Sequence, residues 1–267
     1  MRLFDRAAGF CYRLVYTVVF LFFLTPVVVI AATSLSSSSP ASFPPESVSL
    51  RWYVGFLGDG GWISAVGNSL LVAATTSVLA VALGASAAYG LRSVDEGKRK
   101  LVLALAVFPL ATPLVIIAVS LLVVMGRARA VGSYAAVVVG HTVITAPLAL
   151  LITYGALSRV DWSVRDSALD LGAKPVRAFR EATFPQMRSA VVASAFVAAV
   201  LSMHEFLISL FLTDFTTRTV PVLTWMALRN RLDPTASVVS TLLVVGVFLG
   251  LGIAAAAVGL SKLARDL

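Results

Sequence analysis

Six long apolar runs constrain this chain more than any other feature: roughly 14–32, 69–91, 101–125, 134–157, 190–212 and 238–260. Each is long enough to cross a ~30 Å hydrocarbon layer at ~1.5 Å of helical rise per residue. Lipid offers no water to a bare backbone, and a helix satisfies its own amide and carbonyl groups, so six spanning helices are expected. Composition agrees. Of 267 residues, 59% are hydrophobic and 13% charged, and the mean hydropathy is +0.94, far above what a soluble core requires. The sequence therefore reads as an all-α integral membrane protein, one transmembrane domain over 1–267.

Basic residues set the orientation. If both termini face inside, fifteen of the 21 lysines and arginines lie in the N-terminal segment, the loops between spans two and three and between spans four and five, and the C-terminal tail. Only Arg51, Arg127, Arg129, Arg218, Arg229 and Arg231 remain outside. The positive-inside rule then gives N-in, C-in. The net charge of +8 is spread over membrane-flanking loops instead of forming one patch, so it reads as topology, with no nucleic-acid partner. The single cysteine, Cys11, excludes an internal disulfide or a cysteine metal cluster. The first apolar run is longer than the ~7–15 residues of a signal-peptide core, so a retained first span is expected.

No segment outside the spans is large enough for a nucleotide-hydrolysing domain; the longest are 33–68, 158–189 and 213–237. The Gly-Lys pair in "GLRSVDEGK" has the wrong spacing for a phosphate-binding loop and lacks the following Ser or Thr. Any ATP that drives this protein binds another subunit. HExxH, GxSxG and DxDxDG are all missing, so neither catalytic nor metal-ligating residues are assigned. Trp52, Tyr53, Phe56 and Trp62 suit an interfacial segment on the outer membrane face, or an ordinary loop anchored by aromatics. Pro26, Pro109, Pro113 and Pro147 lie within spans, as kinks along a pathway or as residues their neighbours tolerate.

The inner loop 158–189 is the exception to the apolar pattern. Ser163 with Asp166 three residues on matches a capping-box start, and Val164, Ala168 and Leu171 recur at helical spacing. Gly172 suits a C-terminal stop, and Pro175 suits the first position of a second short helix carrying Val176 and Phe179. Pro185 is expected to end it. Such a helix pair either lies on the lipid surface or presents a face to a partner protein.

The stretch "RDSALDLGAKPVRAFREATFPQM" resembles the EAA loop of ABC-importer permeases. Asp166 stands for the usual Glu, Ser167 and Ala168 for the two alanines, and Asp170-Leu171-Gly172-Ala173 for the centre. Pro185 matches the first proline, and Ser189 replaces the second. The likeness extends along most of the chain. "SLRWYVGFL", "NSLLVA", "SMHEFLISLF" and "RTVPVLTWMALRNRLDPTASVVSTLL" resemble the second permease of spermidine/putrescine-type importers, whose relatives serve 2-aminoethylphosphonate, opines, ferric iron and thiamine.

The resemblance implies a type I permease fold in a bacterial inner membrane and a helix pair that docks on an ATP-binding subunit. The coupling residues would be Asp166, Ala168, Asp170, Leu171, Gly172, Ala173, Phe179 and Pro185. It also implies partners: two copies of an ATP-binding subunit, which carry the ATP and Mg, a second and different homologous permease, an extracytoplasmic substrate-binding protein, and membrane lipid. No cofactor is expected on this chain.

Within the spans, Glu205 is the costly residue. It lies about fifteen residues, or ~22 Å, up span five, and His141 lies at a similar depth in span four. His141, Thr145, His204 and Glu205 are candidates for a polar translocation surface, with Glu205 attracting a cationic group; equally, Glu205 is a gate or packing residue. The polyamine-type pattern often carries two acids where this chain has His204-Glu205, a departure that counts against a polyamine in particular and suits a neutral or zwitterionic solute; the resemblance itself implies an amine-containing, polyamine-like solute, with a 2-aminoethylphosphonate- or opine-like zwitterion as the alternative. Asn68, Ser240 and Thr241 suit interhelical hydrogen bonding or solute contact, and Asp214 and Asp233 suit solvation or contact with a binding protein. From a different class, an ion-coupled carrier would use Glu205 for its proton, and a membrane anchor for a signalling complex would need neither Glu205 nor His141.

Overall fold

The computed structural model describes residues 2–39, 42–230 and 234–258. In chain order the helices are α1 (Arg2–Ser34), α2 (Arg51–Gly58), α3 (Gly60–Gly90), α4 (Glu96–Ala111), α5 (Leu114–Arg127) and α6 (Tyr134–Leu157). They continue as α7 (Trp162–Asp170), α8 (Pro175–Ala178), α9 (Phe184–His204), α10 (Leu207–Leu212), α11 (Val220–Asn230) and α12 (Thr235–Val258). A 3₁₀ turn, Leu91–Ser93, follows α3, and a π turn, Phe179–Thr183, joins α8 to α9. Among the described residues the extended backbone is limited to one bridge, Ser36 to Val48.

The all-helical expectation therefore holds. Five helices are long and apolar enough to span, and six if the bent pair α4–α5 counts as one. Span four falls on 134–157 as expected, with the Ser133 hydroxyl capping α6 by accepting from the Ala136 N–H. Span two is longer than expected, running as helix from Gly60 to Ser93.

Two spans depart from the expectation. Span three, read as one rod over 101–125, is bent by 97° between Ala111 and Leu114. Pro113 has no N–H and disfavours a helical residue before it; Thr112 sits at φ −89, ψ 134, and the α4 ladder stops. Span five, read as 190–212, begins at Pro175 and breaks after His204. Pro185 does not end a helix but lies in the first turn of α9. The π turn absorbs it: the Phe184 N–H bonds to Phe179 O, so the chain stays helical through the proline.

By contacts the chain forms two compact units, Met1–Ile63 with Thr224–Gly246, and Ser64–Leu223 with Val247–Leu267. In the first, the aromatics expected at a lipid interface turn inward. Phe56 and Trp62 are buried against each other at 5.7 Å between ring centroids. The Trp52 indole donates to Ser36 O at 3.0 Å, and the Tyr53 hydroxyl bonds Ser34 Oγ at 2.8 Å.

The second unit holds the core. Small side chains let α3, α6 and α9 approach closely at Ala80, Ala149 and Ala198, the way helices associate where lipid removes the hydrophobic drive. A second cluster joins Ile117 and Ala118 of α5, Val137 and Val138 of α6, and Ile208 and Leu212 of α10. The second half of span three, α5, and the second half of span five, α10, thus pack on one another. A third cluster, with Ala88, Leu91, Leu150, Leu157 and Met187, closes the end nearest the 158–189 loop.

Gly84 tests the close approach. A Cβ there would lie 2.5 Å from the Leu150 amide nitrogen and 2.8 Å from Ala149 Cβ, whereas one at Gly67 meets nothing within 4 Å. Gly84→Ala is expected to destabilise the chain by ~1–3 kcal/mol through overpacking. Gly67→Ala should match or exceed the parent; melting of the detergent-solubilised protein compares the two.

Candidate functional site

The 158–189 loop folds as a helix pair, with its start shifted. Asp161, not Ser163, is the N-cap: its Oδ1 accepts from the Ser163 N–H at 3.0 Å and the Ser163 hydroxyl at 2.7 Å, and α7 begins at Trp162. Those two bonds, the hydroxyl's the stronger, hold the Asp161 carboxyl below its ordinary range. Helix α7 ends as its glycine requires. Gly172 N–H bonds Leu169 O at 2.9 Å and Ala173 N–H bonds Ala168 O at 3.0 Å, a Schellman pair closed by Gly172 at φ +84. Lys174 then caps α8, with Pro175 at its first position.

Aromatic contacts fasten the pair to the foot of α3. Phe179 meets Tyr89 edge-on at 5.0 Å, Tyr89 meets Trp162 at 6.3 Å, and the Arg92 guanidinium lies 3.6 Å over the Trp162 ring. Phe179 is thus an anchor within the chain, not part of an outward face. Of the other candidate coupling residues, Asp166, Asp170, Leu171, Gly172 and Pro185 are exposed, while Ala168 and Ala173 are half-buried. Leu171 is 89% and Val176 78% exposed, so the Gly172 turn carries a bare apolar knob. Flanking charges, Arg165 with Asp166 at 2.9 Å and Arg177 with Glu181 at 3.0 Å, pair off beside it.

The second site lies at the break in span five. Glu205, expected inside a continuous helix, instead terminates α9 at φ −69, ψ 120. Its Oε1 accepts from the Ile208 N–H at 2.8 Å and its Oε2 from the Ser209 N–H at 2.9 Å, satisfying the first turn of α10. His141 Nε2 lies 3.2 Å from Glu205 Oε2 and 2.9 Å from Ser209 Oγ, and its Nδ1 lies 2.7 Å from Ser202 Oγ. The Ser209 hydroxyl donates to Glu205 O at 3.2 Å, so the consistent tautomer puts the imidazole proton on Nε2, with Nδ1 accepting from Ser202.

The structure separates the four residues proposed for a polar path. His141, Thr145 and Glu205 are buried together, Thr145 bonding His141 O at 2.9 Å. His204 is exposed at the break, its Nδ1 2.9 Å from Val200 O. Ser202 and Ser209 complete the network and were missing from the sequence reading; their positions three before and four after Glu205 were the available signal. A groove of about 530 Å³ between α3, α4 and α6 is lined by aliphatic groups such as Leu79, Leu83 and Val143. Its Thr142 hydroxyl already donates to Val138 O, so the groove offers little to a polar solute.

At the far end of the unit, Asn68 bridges helices as expected, donating to Thr216 O and Arg218 O at 2.9 Å and accepting from the Tyr134 hydroxyl at 2.7 Å. Ser240 and Thr241 instead bond back to Ala236 O and Ser237 O of their own helix. Asp214 builds its own turn: the Thr216 hydroxyl and N–H and the Thr217 N–H bond its carboxyl and hold it below the usual range. Asp233 lies outside the described residues.

A multi-pass helical bundle with a two-helix knob at the foot of a long interrupted span is the architecture of a transporter's membrane subunit. The chain belongs to the family of binding-protein-dependent transport system inner membrane components, whose model matches residues 80–261. It is therefore a non-catalytic permease subunit of a bacterial inner membrane. It is 30% identical over 236 residues to the putrescine transport system permease protein PotI of Escherichia coli (strain K12), covering 84% of this chain and 82% of that one. It is 21% identical over 229 residues to the spermidine/putrescine transport system permease protein PotC of the same organism, covering 86% of each.

The fold matches a bacterial alginate ABC transporter in complex with its alginate pentasaccharide-bound periplasmic protein, at TM-score 0.74 and 14% identity over 94% of this chain and 93% of that one. An amino acid ABC transporter with histidines matches at TM-score 0.56 and 14% identity, covering 83% of this chain and 100% of that one. A substrate-binding protein and other subunits accompany a permease of this family. Neither the solitary ion-coupled carrier nor the signalling anchor fits that membership.

Gly172 provides the local test. Its φ of +84 costs a β-carbon residue ~1–3 kcal/mol, and Asn tolerates that region better than Ala or Val. Gly172→Val should speed hydrogen exchange at the amides of 172 and 173, with Gly172→Asn falling between it and the parent.

Proposed function

We propose that this chain forms half of the pathway of an ATP-driven importer for a small amine-containing solute of the polyamine class. The observation that carries the coupling part is the bare apolar knob, Leu171 and Val176, held on a helix that runs from Pro175 to His204. An apolar turn on a rigid stem is a docking element: a partner cleft gains ~25 cal/mol for each Å² of the knob it covers. That partner is the ATP-binding subunit, in two copies, which carries the ATP and Mg. A second homologous permease, a different chain, supplies the other half, and a binding protein delivers the solute.

We place both termini and the 158–189 loop in the cytoplasm, as the basic residues favour. The polyamine class is supported by the names of the relatives above. Withdrawal of Glu205 from the surface favours a second reading, a zwitterion such as 2-aminoethylphosphonate or an opine, because His204 is then the exposed group at the break. We assign His204 to the solute path, with His141, Thr145 and Glu205 behind it.

The test is to isolate the tagged chain from its own membranes, identify its companions by native mass spectrometry, and screen the binding protein with putrescine, spermidine and 2-aminoethylphosphonate. Co-purification of an ATP-binding subunit, a second permease and an amine-binding protein is expected. Recovery of this chain alone, moving solute in liposomes without ATP, overturns the proposal.

Leu171→Asp should lower ATP-driven uptake about tenfold, the effect of ~1.4 kcal/mol of lost coupling. The chain's own melting should stay within ~0.5 kcal/mol of the parent, as for most exposed positions. For orientation, in a Cys11→Ser background an impermeant maleimide should label Phe215→Cys in intact spheroplasts, and Leu171→Cys only after permeabilisation.

A further inference from the structure

Span five changes direction where a helix in lipid would normally continue, and one imidazole touches both sides of the change. On the near side is Ser202, in the last turn of α9; on the far side are Ser209, in the first turn of α10, and the Glu205 carboxylate that caps it. The usual helical bonds do not cross the break. In an unbroken helix the Ile208 N–H would bond His204 O and the Ser209 N–H would bond Glu205 O; both go instead to the Glu205 side chain. The direct backbone link between α9 and α10 is therefore the chain itself, with two soft dihedrals per residue. Beyond the chain and the bonds of Glu205 to α10, His141 adds a link from a different helix.

The surroundings make that link effective. His141 is fully buried on α6, and beside it Gly140 lets α10 sit directly on the α6 backbone: a Cβ there would lie 2.5 Å from Ile208 Cγ2 and 3.0 Å from Leu212 Cδ1. Beyond the break α10 packs with α5 in a common apolar cluster. Before it, the helix from Pro175 to His204 leads back to the knob at the Gly172 turn. A displacement of the knob that runs along this rod meets the break before it reaches α10.

We propose that His141 is a positioning residue for transport: by bonding Ser202 on one side and Ser209 and Glu205 on the other, it makes the break in span five a rigid corner that passes movement of the coupling loop to the α5–α10 cluster. This inference rests on the importer reading above. It gives Glu205 a mechanical role and leaves solute contact at the corner to the exposed His204.

The test uses the complete importer, purified with its own partners, in a Cys11→Ser background. Nitroxides at Ala193→Cys in α9 and Leu210→Cys in α10, both exposed in this chain, report the distance across the corner by electron resonance. His141→Leu, of similar bulk but unable to bond, should broaden that distance distribution and lower putrescine imported per ATP hydrolysed about tenfold. His141→Gln, which can still donate to Glu205 and accept from Ser202, should restore the ratio to within about threefold of the parent.

If His141→Leu fails to assemble, Ser202→Ala cuts the α9 side alone and leaves the Glu205 contacts intact; broadening there supports the clamp. A distribution as narrow as the parent's in the assembled variant overturns it, as does a Gln variant no better coupled than Leu. Absence of ATP-dependent putrescine uptake by the parent complex instead overturns the polyamine-importer reading, and the distance measurement still judges the clamp.

Discussion

A hydrocarbon layer provides no hydrogen-bonding partner for a backbone amide or carbonyl, and each one left bare there costs several kcal/mol. Most of this structure is the direct answer, long helices that satisfy themselves. Its informative parts are the two places where a helix is interrupted. At Thr112-Pro113 the missing proline N–H stops the ladder, and the Pro113 carbonyl starts α5 by accepting from the Ile116 and Ile117 amides. At Glu205 a carboxylate replaces the two carbonyls that the turn removes. Both breaks lie beside α6, the helix whose polar residues are nearly all buried, and the segments that follow them, α5 and α10, share one apolar cluster.

The apolar runs were legible because period and length are enough to identify a span. Span four fell on its residues, span one lies inside a longer helix, and α12 carries span six up to Val258, its last two residues lying outside the described ones. Breaks were not legible. Pro109, Pro113 and Pro147 look alike in sequence, yet Pro109 and Pro147 sit within continuous helices while Pro113 caps a new one. Which proline breaks a span depends on what the freed groups find in neighbouring helices, and that is tertiary information. Pro185 misled for a related reason: a π turn lets a helix pass a proline without an i−4 bond, and its composition carries no signature.

The functional sites divide in the same way. In the 158–189 loop the glycine and the two short helices were readable because capping chemistry is local, although the cap itself lay two residues earlier, at Asp161. Phe179 packs on the chain's own Tyr89, a neighbour that amphipathic spacing could not name, because spacing shows only that a side chain faces something apolar. In the membrane, Glu205 and His141 stood out because polar groups there are expensive. Their mutual bond, and the serines that complete it, required the fold: Ser202 and Ser209 are separated from His141 by 61 and 68 residues.

That network also bears on how the sequence can vary. His141, Ser202, Glu205 and Ser209 are buried, and each supplies a partner that another needs. Replacing one alone by a side chain that cannot bond strands a polar group in a site closed to water, at a cost of ~1–3 kcal/mol. The four positions therefore form a single unit of inheritance. Drift among related chains has to pass through paired changes, a new donor arriving with a new acceptor, so covariation between spans four and five should concentrate at these positions while the lipid-facing residues around them change independently.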